Sequence, residues 1–330
     1  MLRTLTAQGD AFPLATPFRI SRGVKTVADV VTVEIGDGER VGRGEGVPYP
    51  RYGESVADAL AEIEAARAAI EAGADRHALL TIMRAGAARN AVDCALWDLE
   101  AKSAGTSVPA LLGCSTPGRM PTAMTVGLGP VEEMAAAARL LAHVPLLKVK
   151  VDGVAPADQI RAVRAAAPGP RIIVDPNESW TLEDVARLQP LLAEQRIDLL
   201  EQPLPAGQDD GLDGFRPLVP IAADESVHVA EDVAGLARRY QVVNIKLDKT
   251  GGLTGALMLA DAAAAAGLQL MVGCMICSSL SIAPALILAQ RCAFVDLDGP
   301  FWLSNDRAGG VRNDGGLIIP AAAGFWGDTA

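Results

Sequence analysis

The chain has 330 residues, half of them hydrophobic and only 4% aromatic, with 40 acidic side chains against 29 basic ones and a net charge of -11. That length exceeds the usual single domain and predicts one large unit plus a smaller one. The acidic balance gives no electrostatic footprint for nucleic acid or an anionic membrane, so neither partner is expected. The first ten residues lack the apolar core of a signal peptide and no apolar run is long enough to span a bilayer, which predicts a cytoplasmic protein.

The opening part reads as strands at 18–20, 29–35 and 41–46, with a turn at Gly36-Asp-Gly38. Alanine-rich periodic segments at 55–72 and 84–103 read as helices, the second with a stripe of small and apolar residues that predicts a core face. Together they predict a small α+β unit.

From about Thr122 the pattern becomes strand and helix in alternation. Strands are expected to end near Thr125, Lys150, Asp175, Glu201, Asp224, Lys246, Gly273 and Asp298, at steps of 22 to 27 residues, with helices such as 131–142, 157–167 and 253–266 between them. Eight parallel strands on that period close a barrel whose site lies at their carboxyl ends. The expected fold is therefore α/β, a modified TIM barrel of (β/α)7β type at 119–303 with an α+β capping domain at 1–118, completed by the tail 304–330. A doubly wound open sheet is the other architecture compatible with the alternation.

Several of the expected strands are closed by a charge. In Leu146-Leu-Lys-Val-Lys-Val151 the period of two puts Lys148 and Lys150 on one side. Asp175, Glu201 and Asp224 close strands three, four and five of the barrel. Three adjacent carboxylates repel unless a hard cation joins them, and a set of oxygen donors without sulfur or nitrogen favours magnesium. Lys150 and Lys246 close strands two and six and so face one another across the mouth. Two bases on opposite faces of one carbon invert a stereocentre. A lysine is a poor base at neutral pH, but a nearby cation, magnesium or Lys148, lowers its pKa. On strand eight Asp296 and Asp298 share a face and suit either a second magnesium or an ammonium group.

The remaining chemistry-bearing residues are less telling. Five cysteines in a long chain make no disulfide framework, and Cys274-Met-Ile-Cys277, lacking a second pair, reads as strand end or pocket wall before it reads as a redox or metal pair. His77, His143 and His228 show no ligand spacing and supply no base.

Together these residues resemble the enolase superfamily, its muconate lactonizing subgroup and, within that, the dipeptide epimerases. The likeness runs through Pro48-Tyr-Pro-Arg-Tyr-Gly-Glu-Ser55, Lys148-Val-Lys150, Asp175-Pro-Asn-Glu-Ser-Trp180, Leu200-Glu-Gln-Pro203, Ala223-Asp-Glu-Ser226, Asn244-Ile-Lys-Leu-Asp-Lys-Thr-Gly-Gly252 and Asp296-Leu-Asp298. The resemblance implies magnesium at Asp175, Glu201 and Asp224 and acid/base roles for Lys150 and Lys246. It further implies substrate contacts from Thr125, Lys148, Cys274, Met275, Ile276, Asp296 and Asp298 under a capping domain that selects the side chain. The expected reaction is epimerisation of the carboxyl-terminal residue of a dipeptide, L-Ala-D-Glu to L-Ala-L-Glu, in murein peptide recycling. Arg22, in the loop Ile20-Ser-Arg-Gly-Val24, is the candidate partner for a side-chain carboxylate, against the alternative of a solvated loop arginine. Self-association into a homo-oligomer is compatible with the sequence. Rival readings keep the barrel: an N-acylamino acid racemase, an o-succinylbenzoate synthase, a cycloisomerase, or a metabolite-binding protein without catalysis.

Overall fold

The computed structural model describes residues 3–20 and 23–329. Three antiparallel strands open the chain, β1 (Thr4–Ile20), β2 (Gly23–Gly36) and β3 (Val41–Gly46), in that order. β1 begins far earlier than its apolar pattern suggests, because it is an edge strand and leaves most of its side chains exposed or half-buried. Its ladder with β2 runs from Thr4 opposite Gly36 to Ile20 opposite Gly23 and is interrupted between Pro13 and Phe18.

Helix α1 (Val56–Glu71) and helix α2 (Ala87–Ser103) cover this sheet. The alternating glycines of β3 explain how closely α2 lies on it. A Cβ at Gly42, Gly44 or Gly46 would stand 2.1, 2.0 or 2.1 Å from the carbonyl oxygens of Ala95, Ala91 and Ala87, one helical turn apart on α2. Backbone meets backbone there, so no side-chain rotation relieves the clash. Gly44→Ala should cost about 1–3 kcal/mol or more by overpacking, read as a lower urea midpoint; a variant as stable as the parent would contradict this packing. On the opposite face of β3, Glu45 is fully buried and accepts from the Ser278 amide (2.8 Å), the Ser278 hydroxyl and Arg307 Nη2 (2.8 Å). Helix α2 reaches the barrel as well, through Trp97 Nε1 to Thr254 Oγ1 (3.0 Å) and Arg89 Nη2 to the Thr250 carbonyl (2.7 Å).

The barrel strands are β4 (Met124–Val126), β5 (Leu146–Lys150), β6 (Arg171–Asp175), β7 (Leu199–Glu201), β8 (Ile221–Ala223), β9 (Val242–Ile245), β10 (Gln269–Gly273) and β11 (Phe294–Asp296), each beside its sequence neighbour. The ring is nearly closed, with the Ala123 amide donating to the Val295 carbonyl at 2.8 Å. Period-two alternation sorts the side chains. Ala123, Leu146, Ile173, Leu199, Ala222, Val242, Met271 and Phe294, one from each strand or its first neighbour, form a separate apolar layer. Two residues further along each strand the same face carries Lys148, Asp175, Glu201, Asp224, Asn244 and Asp296. The interleaved residues, such as Leu147, Val149, Val174, Leu200 and Val243, belong to the large core shared with the helices. A greasy floor thus supports a polar mouth, as barrel geometry requires.

The strands are followed by α3 (Val131–Leu140), α4 (Pro156–Ala166), α5 (Leu182–Glu194), α6 (Val233–Leu236), α7 (Leu253–Ala265) and α8 (Ser279–Ala289). After β7 only a single 3-10 turn, Asp210–Leu212, fills the interval. Pro203, Pro205, Gly207, Gly211, Gly214 and Pro217 break any helix there. In the tail, β12 (Arg312–Asp314) and β13 (Leu317–Ile319) form a hairpin beside Met120–Pro121, and Gly327 N donates to Asp98 Oδ1 of α2 at 2.6 Å.

Candidate active site

The strand ends bring most of the expected residues around one cavity of about 470 Å³. Its wall includes Lys148 and Lys150 from β5, Asp224 and Lys246 just past β8 and β9, and Thr125 from β4. Cys274, Met275 and Ile276 after β10, Asp296 of β11 and Asp298 just past it complete the far side. Asp175 and Glu201 lie fully buried below that wall. Arg22 falls outside the described residues. One expectation is corrected: β11 ends at Asp296, and Asp298 stands at the head of a 3-10 turn, Gly299–Trp302, because Gly299 and Pro300 end the ladder. The carboxylate of Asp298 still reaches the mouth, accepting from the Thr125 amide at 2.9 Å.

Lysines lie between the carboxylates. Lys148 Nζ is 2.8 Å from Glu201 Oε1, 2.8 Å from Asp296 Oδ2 and 3.1 Å from Asp175 Oδ2. Lys150 Nζ is 2.5 Å from Asp175 Oδ2, and Lys246 Nζ is 2.7 Å from Asp224 Oδ2. The second Asp224 oxygen accepts from Lys249 Nζ at 2.7 Å, and Lys249 also donates to the Asp224 and Asn244 carbonyls. Burial works against charge at Asp175, but Lys150 and Lys148 outweigh it and hold its pKa at about 2. Asp224 is likewise held well below the usual carboxylate range against its burial, by Lys246 and Lys249. At Glu201 burial prevails over Lys148, with Asp175 and Asp224 adding to it, and pushes the pKa up to about 8. Burial would lower Lys246, and Lys148 acts in the same direction, as the sequence suggests for a neighbouring cation; Asp224 overrules both and carries Lys246 well above the ordinary lysine range. In this arrangement Asp224 holds the lysine as its ammonium.

Among the described residues no three histidine, cysteine or carboxylate side chains already converge as a metal cage, since the ammonium groups occupy the space between them. The donor chemistry nonetheless fits a hard dication: three buried carboxylates, oxygen donors alone, with Glu201 Oε2 buried and without a hydrogen bond among the described residues, although Lys148 Nζ lies 2.8 Å away. The loops behind these carboxylates are hydrogen-bonded to them and to each other. Asn177 N donates to Asp175 Oδ1 at 2.8 Å, and Gln202, at a left-handed φ of 30°, accepts the Asp224 amide at 2.8 Å.

Several cavity residues carry no charge pattern that marks them in sequence. Tyr52 rises from the turn Pro50–Tyr52, its ring edge-on to His228 with centroids 4.6 Å apart. Phe18, Ile20 and Lys25 line the capping side, Lys25 with its Nζ 4.9 Å from the Tyr49 ring centre. Asn244 was within reach of sequence reasoning: it shares the face of Lys246 and donates to Glu201 Oε1 at 2.9 Å.

Residues 131–324 match the model of the enolase C-terminal domain-like family, and residues 2–113 match the mandelate racemase/muconate lactonizing enzyme N-terminal domain. The chain belongs to this family.

The L-Ala-D/L-Glu epimerase of Escherichia coli K12 is 47% identical over 92% of this chain and 96% of its own length. An N-acetyl-D-glutamate racemase of a Pseudoalteromonas species is 40% identical over 90% and 95%. Among solved structures, an enolase family member from Agrobacterium tumefaciens with homology to dipeptide epimerases, holding sodium and L-Ala-L-Glu, superposes with a TM-score of 0.96 at 49% identity, covering 98% of this chain and 100% of that one. A dipeptide epimerase from Methylococcus capsulatus, complexed with magnesium and L-Arg-D-Lys, gives 0.89 at 34% identity, covering 97% and 98%.

Proposed function

We propose that this chain is a magnesium-dependent dipeptide epimerase that interconverts L-Ala-D-Glu and L-Ala-L-Glu in the cytoplasm, serving murein peptide recycling. The observation that carries the reading is one cavity bounded by Lys150 and Lys246, on strands four apart in an eight-strand ring, and by Asp296 and Asp298. The substrate's terminal carboxylate is placed by Lys148 at the cavity floor and its α-carbon lies between the two lysines. One lysine, neutral, takes the α-proton onto its Nζ; the other, as ammonium, returns a proton to the opposite face. Asp175, Glu201 and Asp224 would hold magnesium, which when bound would supply positive charge to stabilise the negative charge that develops on the substrate carboxylate. Asp296 and Asp298 receive the amino-terminal ammonium, Thr125 fixing Asp298 and the 274–276 segment walling the side. Arg22 remains the cation proposed for a side-chain carboxylate, and Lys25, which lines the cavity on its capping side, is a second candidate.

Exhaustive chelation should abolish epimerisation and added magnesium restore it, followed by polarimetry of L-Ala-L-Glu. Full turnover after chelation would remove the metal from the account. The kinship with an N-acetyl-D-glutamate racemase supports a second reading, racemisation of N-acylated glutamate at the same lysines. The paired aspartates weigh against it, because an acylated amine brings them no charge.

A further inference from the structure

Behind Asp298, off the cavity wall, stands Trp302, the last residue of the 3-10 turn. Its indole Nε1–H donates to Asp298 Oδ2 at 3.2 Å, the same oxygen that accepts the Thr125 amide at 2.9 Å. That oxygen is doubly held, which restrains the carboxylate at the cavity wall. The other side of the indole carries the cap: Phe18 of β1 packs on it edge-to-face, with ring centroids 4.7 Å apart at 74°, and Phe18 itself lines the cavity.

This contact is stitched into the backbone. β1 leaves its ladder with β2 between Pro13 and Phe18. In that gap Leu14 bridges Leu303, and the Ser304 amide donates to the Pro13 carbonyl at 2.8 Å. Leu14, Phe18, Trp302 and Leu303 join Ala28 and Ile276 in a small apolar cluster separate from the main cores. Cap strand, the segment after β10 and the amino-terminal subsite thus share one packing unit.

We infer that Trp302 is a positioning residue for the substrate's amino-terminal ammonium: it orients Asp298 through its indole N–H and ties that orientation to the cap through Phe18. The inference rests on the dipeptide reading given above. Its consequence is that recognition of a free amine depends on a residue that never touches the substrate, and that a change in the cap at Phe18 is felt at Asp298.

The test compares L-Ala-D-Glu with N-propionyl-D-glutamate, which has the same outline without the ammonium. Trp302→Phe keeps a ring against Phe18 and deletes the N–H donor. For the dipeptide kcat/KM should fall about tenfold or more, the range for a hydrogen bond to a charged group, mostly through KM because the ammonium is held alike in ground and transition states. For N-propionyl-D-glutamate it should change less than about threefold, since no ammonium depends on the lost donor. In an Asp298→Asn background the same substitution should add little, because both delete one interaction.

Phe18→Leu, which keeps the indole, should give a smaller loss of about threefold on the dipeptide, larger than its loss on N-propionyl-D-glutamate because Phe18 lines the cavity for both compounds but bears on Asp298 for the dipeptide alone. It decides the matter if Trp302→Phe does not fold. Equal losses on both compounds, or none on either, would overturn the role of Trp302. A parent enzyme that does not prefer the dipeptide would instead overturn the dipeptide reading, and is seen before any variant is made.

Discussion

Lys246→Ala should leave an enzyme that exchanges a proton without inverting its substrate. Lys246 and Lys150 approach the cavity from strands four apart, and each is within 2.7 Å of its own carboxylate, Asp224 or Asp175. With Lys246 removed, the epimer whose α-proton faces Lys150 still loses that proton and regains one from the same side. Net epimerisation should fall by about 10² to 10⁴ or more, the contribution of a general acid or base, while α-deuterium uptake in heavy water persists for one epimer. Lys150→Ala should show the mirror image with the other epimer. Either variant inverting at the parent rate would mean that one lysine or a water serves both faces.

The second large effect is expected at Asp296 and Asp298. Asp298 is pushed up to about 6 by burial, with Asp296 adding to it, so the pair gains from a cation between its members. In this structure Lys148 holds Asp296 Oδ2, and Asp296 Oδ1 is buried without a hydrogen bond among the described residues. A free amino acid carries its ammonium on the reacting α-carbon; one added residue moves that charge outward by roughly 3.8 Å, toward the last strand. Truncating either aspartate to alanine, or acetylating the dipeptide's amine, should each lower kcat/KM by about 10- to 100-fold, the worth of charge-assisted hydrogen bonds. Combined, the losses should be less than additive because they delete one interaction. N-acetyl-dipeptides or N-acetyl-D-glutamate turned over as well as L-Ala-D-Glu would hand the assignment to the N-acylamino acid racemases.

How far such a site is legible in sequence depends on whether its signal is local. Lys148 and Lys150 are read directly, since two residues along a strand return to the same face, and the acids that close successive strands follow from the βα period. The loss of the helix after β7 was also written locally, in its prolines and glycines, but the regular spacing of the strand ends hid it. Asp298 looked like strand because its spacing from Asp296 is right; Gly299-Pro300 ends the ladder first. The glycines of β3 mark a turn-rich strand in sequence and acquire their meaning only when α2 lies against them. What no local pattern carries is contact between distant residues, such as Phe18 with Trp302, or Glu45 with Ser278 and Arg307. The surroundings of Lys148 are of this kind too: it donates to carboxylates two strands away on either side, Glu201 and Asp296.

The most direct test of the central claim is mass spectrometry of a dipeptide library incubated with the magnesium-loaded protein in heavy water. The account predicts one deuterium at the α-carbon of the carboxyl-terminal residue, fastest for L-Ala-D-Glu and L-Ala-L-Glu, with the two interconverting and the amino-terminal residue unlabelled. Absence of label in every free-amine dipeptide, or label without interconversion in the unaltered protein, would contradict it.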